Sequence, residues 1–269
     1  MIGEELGYDM GHEQVLFDSM WEKLNEEQVA CFNSIVATVE SHERNTQQQE
    51  PSGAFFLHGP AGTGKTFLYN CLCSHFQSQG KIVLCVASSG IAAQFLHGGW
   101  TAHSRFKISL SNDINAVCNI THNSSLGELI RTAFLIIWDE VPIQHTACFK
   151  AVNRTLNNVC NTGNQQFFGG IPTVLGGDFA RILPVIRRGT RQSTVLACIQ
   201  PSSIWPHWHI LRHKKSMRIV TNEANQEFLT FLHSMVTNSD LNGRLELPAY
   251  IRRYPQLIIS AIICIHRLY

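Results

Sequence analysis

The sequence has no Cys-x-x-Cys pair, no internal repeat, no low-complexity tract and no long hydrophobic run. Its nine cysteines are an odd number and scattered, Cys71 and Cys73 being the closest, which fits buried thiols in a reducing compartment rather than an extracellular disulfide framework. The opening residues, MIGEELGYDMGHEQ, are acidic and contain no apolar core of the kind a secretory signal needs. The longest largely apolar run, Leu257 to Ile265, falls short of the roughly 20 residues that span a bilayer as a helix. Charged residues are sparse at 15%, but hydrophobic residues reach 44%, a globular balance rather than a disordered one. At 269 residues the chain has room for one large domain or two modest ones, with a core that needs neither disulfides nor a structural metal.

What charge there is lies unevenly. Residues 1–134 carry 7 Lys/Arg against 13 Asp/Glu, and residues 135–269 carry 14 against 7. The basic second half, with Arg187, Arg188, Arg191, Arg212, Lys214 and Lys215 as a loose group, suits either a nucleic-acid backbone or a solvated face.

Periodicity predicts a short helix around Val15 to Leu24 and a longer one from Glu26 to Ser41, opened by Asn25. AFFLH at 54–58 and KIVLCVA at 81–87 read as buried strands, separated by a helix from Phe67 to Gln79 that stops at Gly80. Another helix starts near Ile91, and residues 109–125 form a polar surface insertion. Phe134 to Trp138 and Thr173 to Leu175 are further strands. Uniformly apolar strands alternating with helices imply a parallel sheet covered on both faces.

The strongest chemical signal is Gly59-Pro60-Ala61-Gly62-Thr63-Gly64-Lys65-Thr66, a complete phosphate-loop pattern between a strand and a helix. Its glycines let successive backbone N–H groups face phosphate oxygens at a helix N-terminus. Lys65 is placed to neutralise the β- and γ-phosphates of ATP, and the Thr66 hydroxyl to ligate Mg²⁺. Downstream, the apolar strand ending in Asp139-Glu140 supplies a second magnesium-shell ligand, Asp139, and a general base for water, Glu140. Trp205-Pro-His207-Trp-His209 with His213 has some of the look of a metal site, but its spacing puts no three ligands on one face, and we read it as packing.

These motifs, in this order, resemble the petite-integration-frequency type of superfamily-one 5′-to-3′ DNA helicases, including Helitron-type transposon helicases. Leu24 to Gln28 is similar to that family's adenine-reading segment, and Ala87 to Ala93 with Gly98 to Phe106 to its strand-contacting motif. Trp138 to Pro142 resembles the acidic motif, Gly176 to Phe179 the sensor motif, and Ser216-Met-Arg218 the place of the arginine finger. The resemblance implies a RecA-like P-loop NTPase, a doubly wound α/β domain over residues 25–208, preceded by a flank at 1–24 and followed by an incomplete second motor domain at 209–269. It implies that Gln28 contacts adenine, that Glu140, Arg181 and Arg218 serve catalysis, and that Ser89, Gly90, Thr101, His103, Ser104 and Phe106 touch single-stranded or forked DNA. Repair, recombination and telomere maintenance, in the nucleus or mitochondria, are the roles the family implies; no membrane partner is expected.

The sequence departs from that pattern in three places. Arg181 stands where a Gln senses the γ-phosphate, Trp100 stands where an Arg is common, and the second motor domain is cut short. Arginine donates hydrogen bonds but accepts none, so Arg181 would hold ATP tightly while orienting water poorly. A motor with impaired unwinding, a DNA-binding transposon relic and a P-loop ATPase acting on protein all remain open to the sequence.

Overall fold

The computed structural model describes residues 2–44, 53–111, 113–163, 166–180, 182–217 and 230–231. The chain divides into two units, Met1–Arg218 and Ile219–Tyr269, and the first holds everything described below. Its sheet is built from β1 (Ala54–His58), β2 (Ile82–Ala87), β3 (Trp100–Thr101), β4 (Ala133–Asp139), β5 (Thr173–Gly177) and β6 (His209–Arg212). The strands run in the order β3-β2-β4-β5-β1-β6, and every pairing is parallel.

Alternation along each strand sorts the core into two layers, because successive side chains of a strand point to opposite faces. Phe56, Leu84, Ile136, Trp138 and Leu175 join one cluster, which α8 (Thr146–Cys160) completes with Phe149, Val152, Leu156 and Val159. Phe55, Leu57, Val83, Cys85, Ile137 and Val174 join the other, against Phe32, Ile35 and Val39 of α3 (Glu26–Arg44) and Leu68, Tyr69, Leu72 and Phe76 of α4 (Lys65–Gln77). Helices on both faces of an all-parallel sheet make the doubly wound α/β architecture expected from the sequence.

The flank assigned to residues 1–24 belongs to this unit. Phe17, Met20 and Trp21 of α2 (Met10–Trp21) pack on the second cluster, and the Phe17 ring lies tilted against those of Phe32 and His75 at centroid distances of 5.8 and 4.9 Å. Nor does the unit end at 208: β6 pairs with β1, Phe55 opposite His209 through His58 opposite Arg212, and the boundary falls after Arg218. The polar stretch at 109–125 is better anchored than its composition suggests. Cys118 is buried and its N–H donates to Thr155 Oγ1 at 2.8 Å, while Arg154 donates to the Ile114 carbonyl at 2.7 Å and also to that of Ala116. Ser125 opens α7 (Ser125–Thr132).

All eight described cysteines are free, and seven are buried. Burial pushes the Cys31 and Cys118 thiols up to about 11 and Cys71 to about 12, so they are protonated and act as small hydrophobes. Among the described residues no helix is long and apolar enough to cross a membrane, and no cluster of His, Cys, Asp and Glu could hold a metal ion by itself.

Candidate active site

The phosphate loop leaves β1 at Gly59 and enters α4 at Lys65, at the carboxyl end of the sheet. Gly62 and Gly64 take φ values of +82° and +79°, the left-handed region that glycine tolerates. The turn is also too tight for side chains. A Cβ on Gly59 would lie 2.6 Å from Thr63 Oγ1, and one on Gly64 would lie 2.3 Å from Gln28 Nε2. Gly64 gives α4 no side-chain cap, so the first N–H groups of the helix face the loop. Lys65 Nζ donates to the carbonyls of Gly59 at 2.6 Å and Pro60 at 3.3 Å, folding its ammonium over the loop.

Gln28 props this loop from beneath. Asn25 and Gln28 form a reciprocal cap at the start of α3: the Gln28 N–H donates to Asn25 Oδ1 and the Asn25 N–H to Gln28 Oε1, each at 3.0 Å. The other end of the amide, Nε2, donates to the carbonyls of Thr63 and Gly64 at 3.4 Å, and the residue is 1% exposed. A second tether comes from the chain after β6, where the Met217 N–H donates to the Gly62 carbonyl at 2.7 Å. Glu27 helps to fix that segment by accepting from the N–H groups of Lys214 and Lys215 at 2.9 and 3.2 Å, contacts that lower its pKa.

The acidic pair arrives from the neighbouring region of the sheet. Asp139 ends β4, is 5% exposed and accepts the Glu140 N–H on Oδ1 at 2.8 Å. Glu140 itself adopts φ +53° and ψ +39°, a strained conformation for a non-glycine residue of the kind that functional sites retain. Gly177 leaves room for the turn that follows Glu140: a Cβ there would lie 2.3 Å from Pro142 Cδ. Gly62, Gly64, Lys65, Thr66, Asp139 and Glu140 all line one open cavity of about 870 Å³. Apart from Ser89, its remaining wall is apolar, with Phe67, Ile91, Phe95, Ile143, Ile182 and Met217. Ile91 and Met217 fall inside the stretches Ala87 to Ala93 and Ser216 to Arg218, whereas Phe67, Phe95, Ile143 and Ile182 fall outside every motif, since an exposed hydrophobic such as Phe95 at 66% carries no signal of its own.

The expected strand-contacting residues separate. Ser89 caps α5 (Gly90–Phe95), accepting the Ala92 N–H at 3.2 Å, and lines the phosphate-loop cavity; Gly90 is exposed beside it. Thr101 caps α6 (Ala102–Phe106) by accepting the Ser104 N–H at 3.2 Å, Ser104 is exposed, and burial lowers the pKa of the half-buried His103. Phe106 does not belong with them. It is 0% exposed, with its ring 5.7 Å from that of Trp138, so it is a core residue and has no face for a base. Arg181 and Arg218 lie outside the described residues. Of the histidine cluster, His209 sits exposed in β6 while His213 is 1% exposed with neither ring nitrogen in a well-formed hydrogen bond among the described residues. Arg187, Arg188, Arg191 and Arg212 are all exposed.

The model for PIF1-like helicases matches residues 23–242. A Campylobacter jejuni protein named ATP-dependent DNA helicase Pif1 is 34% identical over 139 residues, 49% of this chain and 29% of that protein. The Candida albicans ATP-dependent DNA helicase PIF1 is 27% identical over 223 residues, 80% of this chain and 24% of that one. Bacteroides sp. Pif1, solved in complex with ADP-AlF4, superposes with a TM-score of 0.59 at 25% identity, over 79% of this chain and 46% of its own. The chain thus spans less than a third of the length of these two helicases.

Proposed function

This chain belongs to the PIF1-like helicase family, and from that premise we propose that it is the nucleotide-binding motor domain of an ATP-dependent DNA helicase, using ATP and Mg²⁺ and acting on single-stranded or forked DNA. One observation carries the reading: the phosphate loop and the Asp139–Glu140 strand end, 73 residues apart, line the same cavity. The residues present suit the ligand. A phosphate loop whose Gly59 and Gly64 leave no room for a Cβ, uncapped helix N–H groups, one lysine, and a hydroxyl and a carboxylate lining the same cavity suit a triphosphate and its cation. The ADP-AlF4 bound by the Bacteroides relative supports the same class of ligand here.

In this reading Lys65 and the loop N–H groups bind and orient the phosphates. Thr66 and Asp139 hold Mg²⁺, which when bound neutralises charge on the phosphate oxygens. Glu140, at the mouth of the cavity, takes the proton from water as general base. Arg181 and Arg218 enter on sequence grounds alone, as a γ-phosphate contact and an arginine finger. Thr101, His103 and Ser104 grip the DNA backbone with small polar groups. Placement inside the cell, where DNA is, follows from the same reading.

ATP turnover with and without single-stranded DNA tests it. Stimulation by DNA is the expected result. Turnover indifferent to DNA would point to an ATPase acting on protein, and DNA binding without turnover to a relic; either would overturn the proposal.

A further inference from the structure

Beyond the phosphate-loop cavity, the edge strand β3 assembles a second polar site. Trp100 pairs with Val86 and Thr101 with Ala87, so both stand level with the last residues of β2 at the carboxyl end of the sheet. Trp100 is 53% exposed, and the Arg105 guanidinium lies 4.7 Å from its ring centroid. Arg105 is only 5% exposed. Its Nη2 donates to Glu5 Oε1 at 2.6 Å, and its Nε has no hydrogen-bond partner among the described residues. With Tyr8, Ser104 and Lys107 these residues line a cavity of about 430 Å³ that shares no residue with the phosphate-loop cavity.

The Arg105 guanidinium places a cation at the cavity, and the exposed indole beside it offers a π-face. Arginine is suited to phosphate oxygens, and aromatic faces stack on any base without regard to sequence. We propose that this cavity is a subsite for one nucleotide of a bound single strand, with the base stacked on Trp100 and the adjoining phosphate on Arg105 and Lys107. The proposal rests on the DNA reading above and gives a direct role to Trp100 and Arg105, which lie within the Gly98 to Phe106 segment but are not among the contacts the resemblance implies. The Glu5 carboxylate occupies the place at Arg105 that a phosphate oxygen would take. It holds the guanidinium in position without a strand and competes with the strand for it.

Anisotropy titrations of the chain with a fluorescein-labelled 20-nucleotide oligo-dT decide the matter. Trp100→Ala should weaken binding about tenfold, the size of one lost base–aromatic stack, while Trp100→Phe stays within about threefold of native. Glu5→Gln should tighten binding severalfold, because the competing carboxylate is gone. Lys107→Asn, chosen because Asn tolerates the left-handed φ of +51° at that position, should lower the slope of log affinity against log salt by about 0.7. Equal losses in the Phe and Ala variants would overturn stacking, and an unchanged salt slope would overturn the phosphate contact. Native affinity in Trp100→Ala would overturn the subsite and leave DNA binding standing. Failure of the native chain to bind the oligonucleotide at low salt would overturn both.

Discussion

The indole of Trp138 donates from Nε1 to Ser88 Oγ at 3.0 Å, and the Ser88 N–H donates to the carbonyl of Asp139 at 3.1 Å. The last turn of β4 is thereby fastened to the residue that follows β2, and with it the acidic pair is fastened to the segment leading into α5. Trp138 is 0% exposed, so removing its acceptor leaves an orphaned donor in the core. Ser88→Ala should cost about 1–3 kcal/mol, and the double variant Ser88→Ala with Trp138→Phe should cost less than the two single changes summed. Denaturant melts of the four proteins measure the coupling; strict additivity would mean that the hydrogen bond contributes nothing.

Tyr69 and Gly176 are in closer opposition. A Cβ on Gly176 would lie 1.6 Å from the Tyr69 hydroxyl, which is fully buried and has no hydrogen-bond partner among the described residues. Burial, then Asp139 and Glu140 nearby, keep that phenol protonated, its pKa well above the ordinary value. Tyr69→Phe removes an unsatisfied polar group and should stabilise the domain by about 1 kcal/mol. Gly176→Ala should unfold it or lower the melting temperature sharply, and adding Tyr69→Phe should recover part of the loss.

Histidines set the acid limit. Burial lowers the pKa of His58, His75, His103, His145 and His213 in the folded chain. Unfolded imidazoles titrate near about 6.5, so below that pH the unfolded chain binds more protons than the folded one. The stability these neutral histidines permit is present above pH of about 6.5 and drains away as the pH falls toward their folded values. His213, 1% exposed, should contribute strongly. Melting temperatures between pH 7.5 and 5.5 should fall, and His213→Leu should flatten the decline. A slope unchanged in that variant would show that His213 is not among the groups responsible.

For turnover the sensitive position is Glu140. Glu140→Gln keeps the size of the side chain and removes the base, so hydrolysis should fall about 10²–10⁴-fold with nucleotide affinity unchanged. Loss of binding in a nucleotide titration would instead assign Glu140 to the cation or to the architecture of the strand end.

The parallel sheet, the phosphate loop and the acidic strand end were legible because each writes itself into consecutive residues: an apolar run, a glycine spacing, two carboxylates. Asn25 was legible as a cap for the same reason. What escaped depends on the partner across the fold. Helix α8 is not legible in the sequence because Thr146, Asn153, Thr155, Asn157 and Asn158 dilute a sound apolar stripe with poor helix formers. Strand β3 has two residues and β6 follows a Trp/His cluster, so neither shows a strand period. Phe106 reads in sequence as a DNA contact because sequence cannot tell an exposed ring from one packed on Trp138. Arg105, next to it, carries no sequence signal because its partner Glu5 lies 100 residues away in the chain.

The central claim is that the loop from Gly59 to Thr66 binds a triphosphate, and titration with a fluorescent ATP analogue in the presence of Mg²⁺ tests it most directly. The native chain should bind saturably and Lys65→Ala should bind at least about tenfold more weakly, the worth of a lost hydrogen bond between charged groups. Equal affinities of the two proteins, or no saturable binding by the native chain, would contradict it.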